Sequence, residues 1–407
     1  FYNCVNLSEI AVPDSALYLG KYAFYNCTSL LTASIGISVP EINEYTFYNC
    51  TSLKTVVIGI DVACIGDYAF YNCALTRVTT PNTLIKIGKY AFALNKDLTR
   101  VSLKTKIETI DDGAFKGCSL LATINWPSSI SYIGSHAFEE CESLTSVIIP
   151  VLVTEINAFA FASCTSLENV TINGSITYIG NYAFYNTALV EYDFGNVLEY
   201  IGNNAFERTN LVSITLPDTV DYIGRNAFVH CSSLNYISIP DGVSFVGSYA
   251  FYYNDSNLHA DIRYVSGVVS PRLFYHSSIR SVTMDDNIYE IGDYAFAYCY
   301  NLLNIHFSNE LLIIGNYAFY QNREYVELTL PNKLDKIGSY AFSMNYKLNK
   351  LNIPDTITIV GEHAFYSDYL YHPEITIEIY FVDGIVDQGL LDSQDMYHII
   401  VDNFIHT

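Results

Sequence analysis

Apolar residues recur along this chain at a fixed interval, which the phenylalanines mark most clearly. Each unit carries one at the same position: Phe1, Phe24, Phe47, Phe70, Phe92, Phe115, Phe138, Phe161, Phe184, Phe206, Phe228, Phe251, Phe274, Phe296, Phe319, Phe342 and Phe365. Every interval is 22 or 23 residues. Helical-pair repeats and propeller blades have longer periods, of about 33 to 50 residues, so the interval predicts a solenoid with one coil per unit.

A β-strand is predicted near the end of each unit, where apolar and polar residues alternate. The alternation is clear at Leu144, Val147 and Ile149, at Leu234, Ile237 and Ile239, and at Leu348, Leu351 and Ile353. Prolines follow the last apolar residue in several units, where they end strand pairing: Pro150, Pro217, Pro240, Pro331 and Pro354. Stacked coils would form one parallel β-sheet along one face, with turns and short irregular or 3-10 segments on the other.

A glycine stands four residues before the phenylalanine in 12 of the 16 units that have this position. The exceptions are Asn43, Asp111, Asn157 and Ser270. Because glycine, and after it Asn and Asp, best tolerates a positive φ, a left-handed backbone turn is predicted at this position.

Nine of the ten cysteines stand three residues after the phenylalanine, and Cys64 is the exception. Other units have a small polar residue there, so the position is predicted to hold a short side chain that bonds to nearby backbone. Adjacent coils would bring cysteine Cα atoms within roughly 5 Å, close enough for a ladder of disulfides. Cys231 and Cys299 have no cysteine in a neighbouring unit, however, so buried thiols are favoured. One ligand per coil makes a line, which does not suit a metal ion.

The repeat predicts a solenoid of about 17 coils over residues 1–370. The unit near 252–274 is degenerate: Val269 and Ser270 replace Ile-Gly, and the charged stretch from Asp255 to Arg263 stands where the strand should begin. A bulge or kink of the sheet is predicted there. The period is lost after Phe365, so residues 371–407 are expected to form a terminal strand, at 375–381, and a C-terminal cap or tail.

Composition and charge narrow the function. Hydrophobic residues make up 50% of the chain, yet no apolar run of about eighteen residues occurs, so direct membrane insertion is not expected. The net charge of -22 repels phosphate backbones, which excludes nucleic acid as an expected partner. None of the catalytic or phosphate-binding motifs sought is present, and we expect neither enzymatic activity, nor a cofactor, nor a metal. The chain opens in mid-repeat at Phe1, as a part of a longer protein would.

The repeat itself resembles a known family. Residues 223–240 read I-G-x-x-A-F-x-x-C-x-x-L-x-x-I-x-I-P. Over residues 1 to about 370 the chain is similar to the BspA-like, or Treponema-type, leucine-rich repeat family. That resemblance implies a surface or secreted, virulence-associated protein that attaches to protein or glycan on host or microbial surfaces. The alternative is an intracellular scaffold for protein partners, and a monomer is expected in both cases.

Two surfaces are candidates for binding. The first is the outward face of the predicted sheet, with Thr171, Asp193, Thr215, Ser238, Thr283, His306 and Thr329. The second is a tyrosine-rich flank, with Tyr22, Tyr45, Tyr68, Tyr294, Tyr317 and Tyr340. Both have a structural explanation as well: Thr and Ser suit exposed strands, and tyrosines of adjacent coils would stack and cover the flank.

Overall fold

A computed structural model describes residues 1–254, 257–263, 266–324, 326–348, 350–354 and 356–366, together with the strands Thr376–Ile379 and His398–Val401. The chain divides into two compact units, Phe1–Asn210 and Leu211–Thr407. The described residues of both units form short strands and turns, without a helix. Each unit is a parallel β-solenoid, as predicted.

Unit 1 has two strands in most coils. Those that follow the repeat leucine, called front strands, are β1 (Glu9–Ala11), β2 (Thr32–Ser34), β4 (Thr55–Val57), β6 (Arg77–Thr79), β8 (Arg100–Ser102), β10 (Thr123–Ile124), β12 (Ser146–Ile149) and β14 (Asn169–Ile172). Those just before the glycine position, called back strands, are β3 (Glu41–Ile42), β5 (Cys64–Ile65), β7 (Lys86–Ile87), β9 (Thr109–Ile110), β11 (Tyr132–Ile133), β13 (Glu155–Ile156), β15 (Tyr178–Ile179) and β16 (Tyr200–Ile201).

Unit 2 repeats the arrangement. Its front strands are β17 (Ser213–Thr215), β19 (Tyr236–Ile239), β21 (Leu258–Ile262), β23 (Ile279–Met284), β25 (Asn304–His306), β27 (Glu327–Thr329) and β29 (Lys350–Asn352). Its back strands are β18 (Tyr222–Ile223), β20 (Phe245–Val246), β22 (Val268–Val269), β24 (Glu290–Ile291), β26 (Ile313–Ile314), β28 (Lys336–Ile337) and β30 (Ile359–Val360). Two further strands, β31 (Thr376–Ile379) and β32 (His398–Val401), pair with each other.

Strands of equivalent coils pair in parallel within each unit. The front strands of unit 1 pair in the orders β1-β2-β4, β6-β8-β10 and β12-β14, and those of unit 2 in the orders β17-β19-β21-β23-β25 and β27-β29. The front sheet confirms the prediction from the alternating residues. The back sheet is an addition, because a strand of two residues is too short to leave an alternating pattern in the sequence.

The core of each unit is a column of stacked phenylalanines. Phe47 and Phe70, for example, have ring centroids 5.1 Å apart and planes within 4°. Both rings are fully buried, which contributes on the order of 1.5 to 3 kcal/mol for each side chain. Because the same residue recurs in every coil, each ring lies against a copy of itself.

The prediction of a left-handed turn at the glycine is wrong. None of the 12 repeat glycines has a positive φ; the left-handed residues stand two before and two after the phenylalanine, such as Tyr22 (φ 60°) and Asn26 (φ 57°). Glycine is required for a different reason, because its neighbour is too close. A Cβ atom on Gly66 would lie 2.7 Å from the backbone nitrogen of Glu44 in the preceding coil.

The asparagines that replace this glycine do not adopt a positive φ either. Asn43 donates its side-chain amide to the carbonyl of Leu19 at 2.7 Å, and Asn157 does the same to Ile133 at 2.7 Å. Each amide therefore bonds to the backbone of the preceding coil. Hydrogen bonding explains these exceptions better than backbone conformation does.

The cysteine position acts as predicted, as a short side chain that bonds to backbone. The thiol of Cys50 donates to the carbonyl of Phe24, in the preceding coil, with the sulfur 3.1 Å from the oxygen. Asn95 makes the equivalent bond to the carbonyl of Phe70 at 2.8 Å. All ten cysteines are thiols in the structure, and eight of them are buried.

The irregular unit lies where the sequence predicts it. The register between β21 and β23 shifts between Leu258 and His259, which confirms the predicted bulge. The charged stretch does not end the sheet, however, because β21 and β23 are the longest front strands of unit 2. In the C-terminal region β31 falls within the predicted terminal strand. The rest of 371–407, apart from β32, lies outside the described residues, so the cap stays a prediction.

Replacing Gly66 by alanine is expected to lower the free energy of unfolding by about 1 to 3 kcal/mol, because the new Cβ forces two coils apart. Gly195 is the matched control: it has a φ of 64° and no atom within 4 Å of an added Cβ. Since asparagine tolerates that φ, Gly195→Asn should change stability by less than about 0.5 kcal/mol. Denaturant unfolding measures both. Equal stability of Gly66→Ala and the parent would contradict the close-approach explanation.

Thiol labelling tests the cysteine position. Burial, with Glu41 adding to it, raises the pKa of the Cys64 thiol to about 11, and burial raises that of Cys118 to about 12. Only the thiolate reacts with iodoacetamide, so the native protein should label slowly at neutral pH, and only at Cys4 and Cys64. Labelling of Cys64 should quicken as the pH approaches its pKa.

In denaturant without reductant all ten thiols should react. A smaller number would reveal a disulfide, and rapid labelling of Cys118 in the native protein would show that its position is open to solvent. Mass spectrometry of peptides identifies each labelled cysteine.

Candidate binding surfaces

One row of outward side chains crosses the front sheet of unit 2. Strand register places Thr215 beside Ser238, Ser238 beside Asp261, Asp261 beside Thr283, and Thr283 beside His306. Neighbouring strands are about 4.8 Å apart, so these side chains form a closely spaced polar line. The structure thus brings together four of the seven residues predicted for the sheet face.

Ser238 is a correction to that prediction, since its outward side chain is covered. Only 7% of it is exposed, and the guanidinium of Arg263 donates to its hydroxyl at 3.4 Å. The hydroxyl of Tyr236 donates to the Asp261 carboxylate at 2.9 Å beside it. Thr215, Thr283 and His306 are the exposed predicted members of the row.

Asp261 was missed by the sequence analysis. It belongs to the charged stretch that suggested a break in the repeat, so no outward position was assigned there. A signal was present, because Leu258, Ala260 and Ile262 alternate with polar residues and are all buried. The bulge at the start of β21 had hidden the phase of that alternation.

A depression of about 420 Å³ lies where β21, β23 and β25 end. It is lined by Asp261, Arg263, Thr283, Met284, Asp285, Asp286, His306 and Asn309. Asp285 accepts from the backbone of Asp286 at 2.6 Å, and Asp286 from the backbone of Asn309 at 2.9 Å. Two of the three carboxylates therefore hold turns, and Asp261, Arg263 and His306 supply the remaining charged or titratable groups.

This depression does not resemble a metal centre. Within the described part of the chain, no three His, Cys, Asp or Glu side chains are grouped so that they could hold an ion. Hydroxyls, an imidazole, a carboxylate and a guanidinium can instead form directional hydrogen bonds with a polar partner.

The other predicted sheet residues lie apart from this row. Thr171 is exposed on β14 in unit 1, and Thr329 on β27 accepts a hydrogen bond from the side chain of Asn352 at 3.2 Å. Asp193 is a second correction, because it lies outside any strand and its carboxylate accepts from the backbone of Gly195 at 2.9 Å. In that coil the rings of Tyr192 and Phe194 fill the interior, and no front strand forms.

The tyrosine flank of unit 1 consists of two ladders. Tyr22, Tyr45, Tyr68 and Tyr90 stack with ring centroids 4.9 to 5.1 Å apart, and Tyr2, Tyr25, Tyr48 and Tyr71 with centroids 4.9 to 5.0 Å apart. The two ladders meet at an angle of 50 to 56°. Burial is the main cause that raises the pKa of Tyr45, Tyr48 and Tyr68.

Stacking determines which parts of the tyrosine side chains a partner can contact. Each inner ring has both faces against its neighbours, so ring edges and hydroxyls are left at the surface. In unit 2, Tyr294, Tyr317 and Tyr340 stack in the same way, at 4.7 and 4.8 Å. The predicted stacking is confirmed. Tyr294, Tyr317 and Tyr340 are half-buried, so part of each side chain remains accessible.

The repeat matches a known protein family. Residues 1–99, 86–211, 131–259 and 268–384 match the family model described as BspA type leucine rich repeat region (six copies). No curated protein sequence matches the chain. None of the described residues forms a helix of the length and apolarity needed to cross a bilayer.

Several solved structures are similar. One is a leucine-rich repeat protein from Bacteroides ovatus, 24% identical, with 99% of this chain and 86% of that one covered and a TM-score of 0.49. A leucine rich cell surface protein from Faecalibacterium prausnitzii is 23% identical, with 95% and 85% covered and a TM-score of 0.37. A leucine rich repeat protein from T. pallidum is 24% identical, with 49% and 69% covered and a TM-score of 0.30.

The family match extends over most of the described chain and agrees with the repeat read from the sequence. The leucine-rich repeat is a fold that binds protein partners. The coils described above, with their phenylalanine column and parallel front strands, are one form of it. The chain therefore belongs to the BspA type leucine rich repeat family.

Proposed function

We propose that this chain is a cell-surface or secreted adhesion module, which binds protein or glycan on host or microbial surfaces. The row of Thr215, Asp261, Thr283 and His306 on the front sheet of unit 2 is the observation that carries the proposal. Thr215, Thr283 and His306 are exposed, and their side chains include donors and acceptors of hydrogen bonds.

The geometry of the row suits an extended partner. Four of the five strands present an accessible polar group, and Ser238 on β19 is covered by Arg263, so a partner that lies across the strands meets polar groups at multiples of about 4.8 Å. The depression at the end of β21, β23 and β25 would fix its position. Many weak contacts of this kind add up when they are made together, and a monomer presents them on a rigid surface.

The tyrosine ladders are the second proposed binding surface of each unit, with Tyr22, Tyr45 and Tyr68 in unit 1 and Tyr294, Tyr317 and Tyr340 in unit 2. Their hydroxyls stand in rows along the flank, and their rings are held in place by stacking. Tyrosine contributes a large contact area and loses little conformational entropy on binding, since few of its bonds rotate. Thr329 would extend the contact within unit 2, and Thr171 would offer a separate contact on the front sheet of unit 1.

One observation favours a second candidate, an intracellular scaffold for protein partners. The structure holds ten thiols and no disulfide among them. Secreted proteins more often carry cysteines as disulfides, whereas reducing compartments preserve thiols. The two proposals differ in where the partner is found, on a foreign surface or inside the cell.

Binding to arrays tests the adhesion proposal. Purified chain would be applied to host matrix proteins, glycans and fixed epithelial or microbial cells over a range of concentrations. The triple variant Thr215→Lys, Thr283→Lys, Thr329→Lys should weaken saturable binding by about tenfold or more, because three long side chains block the sheet face.

A matched control adds the same three charges elsewhere in unit 2. Ser244, Leu312 and Thr358 are exposed and directly precede the back strands β20, β26 and β30, so their replacement by lysine should leave binding unchanged. If both triple variants lose binding equally, the effect is one of charge and the sheet-face proposal fails. If the parent chain binds no foreign surface, the scaffold takes precedence.

A further inference from the structure

The residue two positions after the phenylalanine changes along the chain. The first four coils of unit 1 hold an asparagine ladder there: Asn26 donates to Asn3 at 2.9 Å, Asn49 to Asn26 at 2.6 Å and Asn72 to Asn49 at 2.6 Å. Asparagine suits this position, because its backbone is left-handed there, with a φ of 57° at Asn26.

In unit 2 the same position holds aromatic residues in four consecutive coils, at His230, Tyr253, His276 and Tyr298, and then Gln321 and Met344. Tyr253, His276 and Tyr298 have φ values of 56°, 54° and 61°, a conformation that large side chains rarely adopt. Other coils keep the same backbone with different side chains, such as Leu94 (φ 60°) and Met344 (φ 61°), so the backbone does not explain why these residues are aromatic. With Tyr252, Tyr275 and Tyr300 they form what we call the aromatic cluster.

The rings of the aromatic cluster mostly meet at steep angles. The plane of Tyr298 lies at 74° to Tyr275 and at 82° to Tyr300, with centroids 5.3 and 6.2 Å apart. Tyr298 stacks only on His276, at 4.4 Å. These edge contacts leave ring faces without a stacked neighbour, and Tyr253 and Tyr300 are 44% and 37% exposed.

Cations already lie on rings next to and within the aromatic cluster. The guanidinium of Arg323 is 4.5 Å from the ring centroid of Tyr300, and that of Arg272 is 4.9 Å from Tyr294. The negative face of an aromatic ring attracts a cation at such distances. These contacts show that rings in this part of the surface are oriented to accept positive charge.

We propose that the aromatic cluster binds a lysine- or arginine-rich segment of a partner protein; this deepens the adhesion function proposed above and rests on it. With 42 acidic and 20 basic residues, the chain attracts a basic partner over a distance. Side chains of that partner would extend the pattern that Arg272 and Arg323 begin. A neutral glycan could stack on the same rings, but it would gain nothing from the charge.

Synthetic peptides separate these possibilities. One alternates lysine with glycine, a second has norleucine in place of lysine, and a third carries trimethyllysine and is compared with its neutral carbon isostere. Binding to the purified chain would be measured by fluorescence anisotropy at several salt concentrations. The lysine peptide should bind about tenfold more tightly than the norleucine peptide, and trimethyllysine more tightly than its isostere by a similar factor.

The test variant is Tyr253→Asn, His276→Asn, Tyr298→Asn, which introduces the residue that the first four coils of unit 1 have at this position. Asparagine tolerates the left-handed backbone, so the variant should stay folded, as circular dichroism and thermal melting would show. Its affinity for the lysine peptide should fall about tenfold. Leu94→Asn is the control, because Leu94 holds the same position in unit 1 with a φ of 60°.

Several results would overturn the proposal: equal binding of the lysine and norleucine peptides, unchanged affinity in the triple variant, or equal losses in the control. If the parent chain binds a neutral glycan, the triple asparagine variant does not, and lysine peptides do not bind, then the cluster stacks on sugars and the proposal of a basic segment is wrong. If the triple asparagine variant still binds the arrays and the lysine peptides do not bind the parent chain, this inference is wrong and the adhesion proposal stands. Peptide binding without array binding sinks the adhesion function alone.

Discussion

The hydrogen bonding of the turn around each phenylalanine is the constraint on which the structure depends. Alternate backbone N–H groups bond within the coil and to the next coil: Phe24 donates to Thr46 at 2.8 Å, Tyr25 to Tyr22 at 3.2 Å and Asn26 to Tyr48 at 2.8 Å. The left-handed residues at Tyr22 and Asn26 accompany this alternation. A buried turn without such bonds would leave backbone donors unsatisfied, at a cost of about 1 to 3 kcal/mol each.

Close coil-to-coil bonding sets every other spacing. Once backbones lie at the separation of paired strands, identical residues at identical positions are about 5 Å apart, which is a stacking distance for rings and a bonding distance for amides. The phenylalanine column, the tyrosine ladders and the asparagine ladder are therefore one phenomenon with three kinds of side chain. The repeat glycine belongs to it as well, since no Cβ fits between coils that close.

Periodicity was enough to predict the solenoid, the front strands and the polar bond of the cysteine position. It failed where a residue type has two explanations. Glycine marks both a positive φ and a close approach, and the sequence alone does not separate them. The back sheet was not predicted because a strand of two residues shows no alternation of apolar and polar residues. Asp261 was not predicted because a bulge shifts the alternation of its strand. The burial of Ser238 depends on Arg263 in the next coil. It could not be predicted, because arginine is not a repeated residue at that position.

The coil that contains Asp193 has a consequence for how unit 1 comes apart. In a solenoid, stability is close to a sum of coils and the contacts between neighbours, so unfolding begins where one such contact is weakest. This coil lacks a front strand and holds two aromatic rings in place of aliphatic residues. Local opening there would expose backbone amides to hydrogen exchange, and the chain to proteases, while the neighbouring coils stay closed. A solenoid of near-identical coils is thus not uniform, and backbone amides of this coil are expected to exchange faster than those of coils that have a front strand.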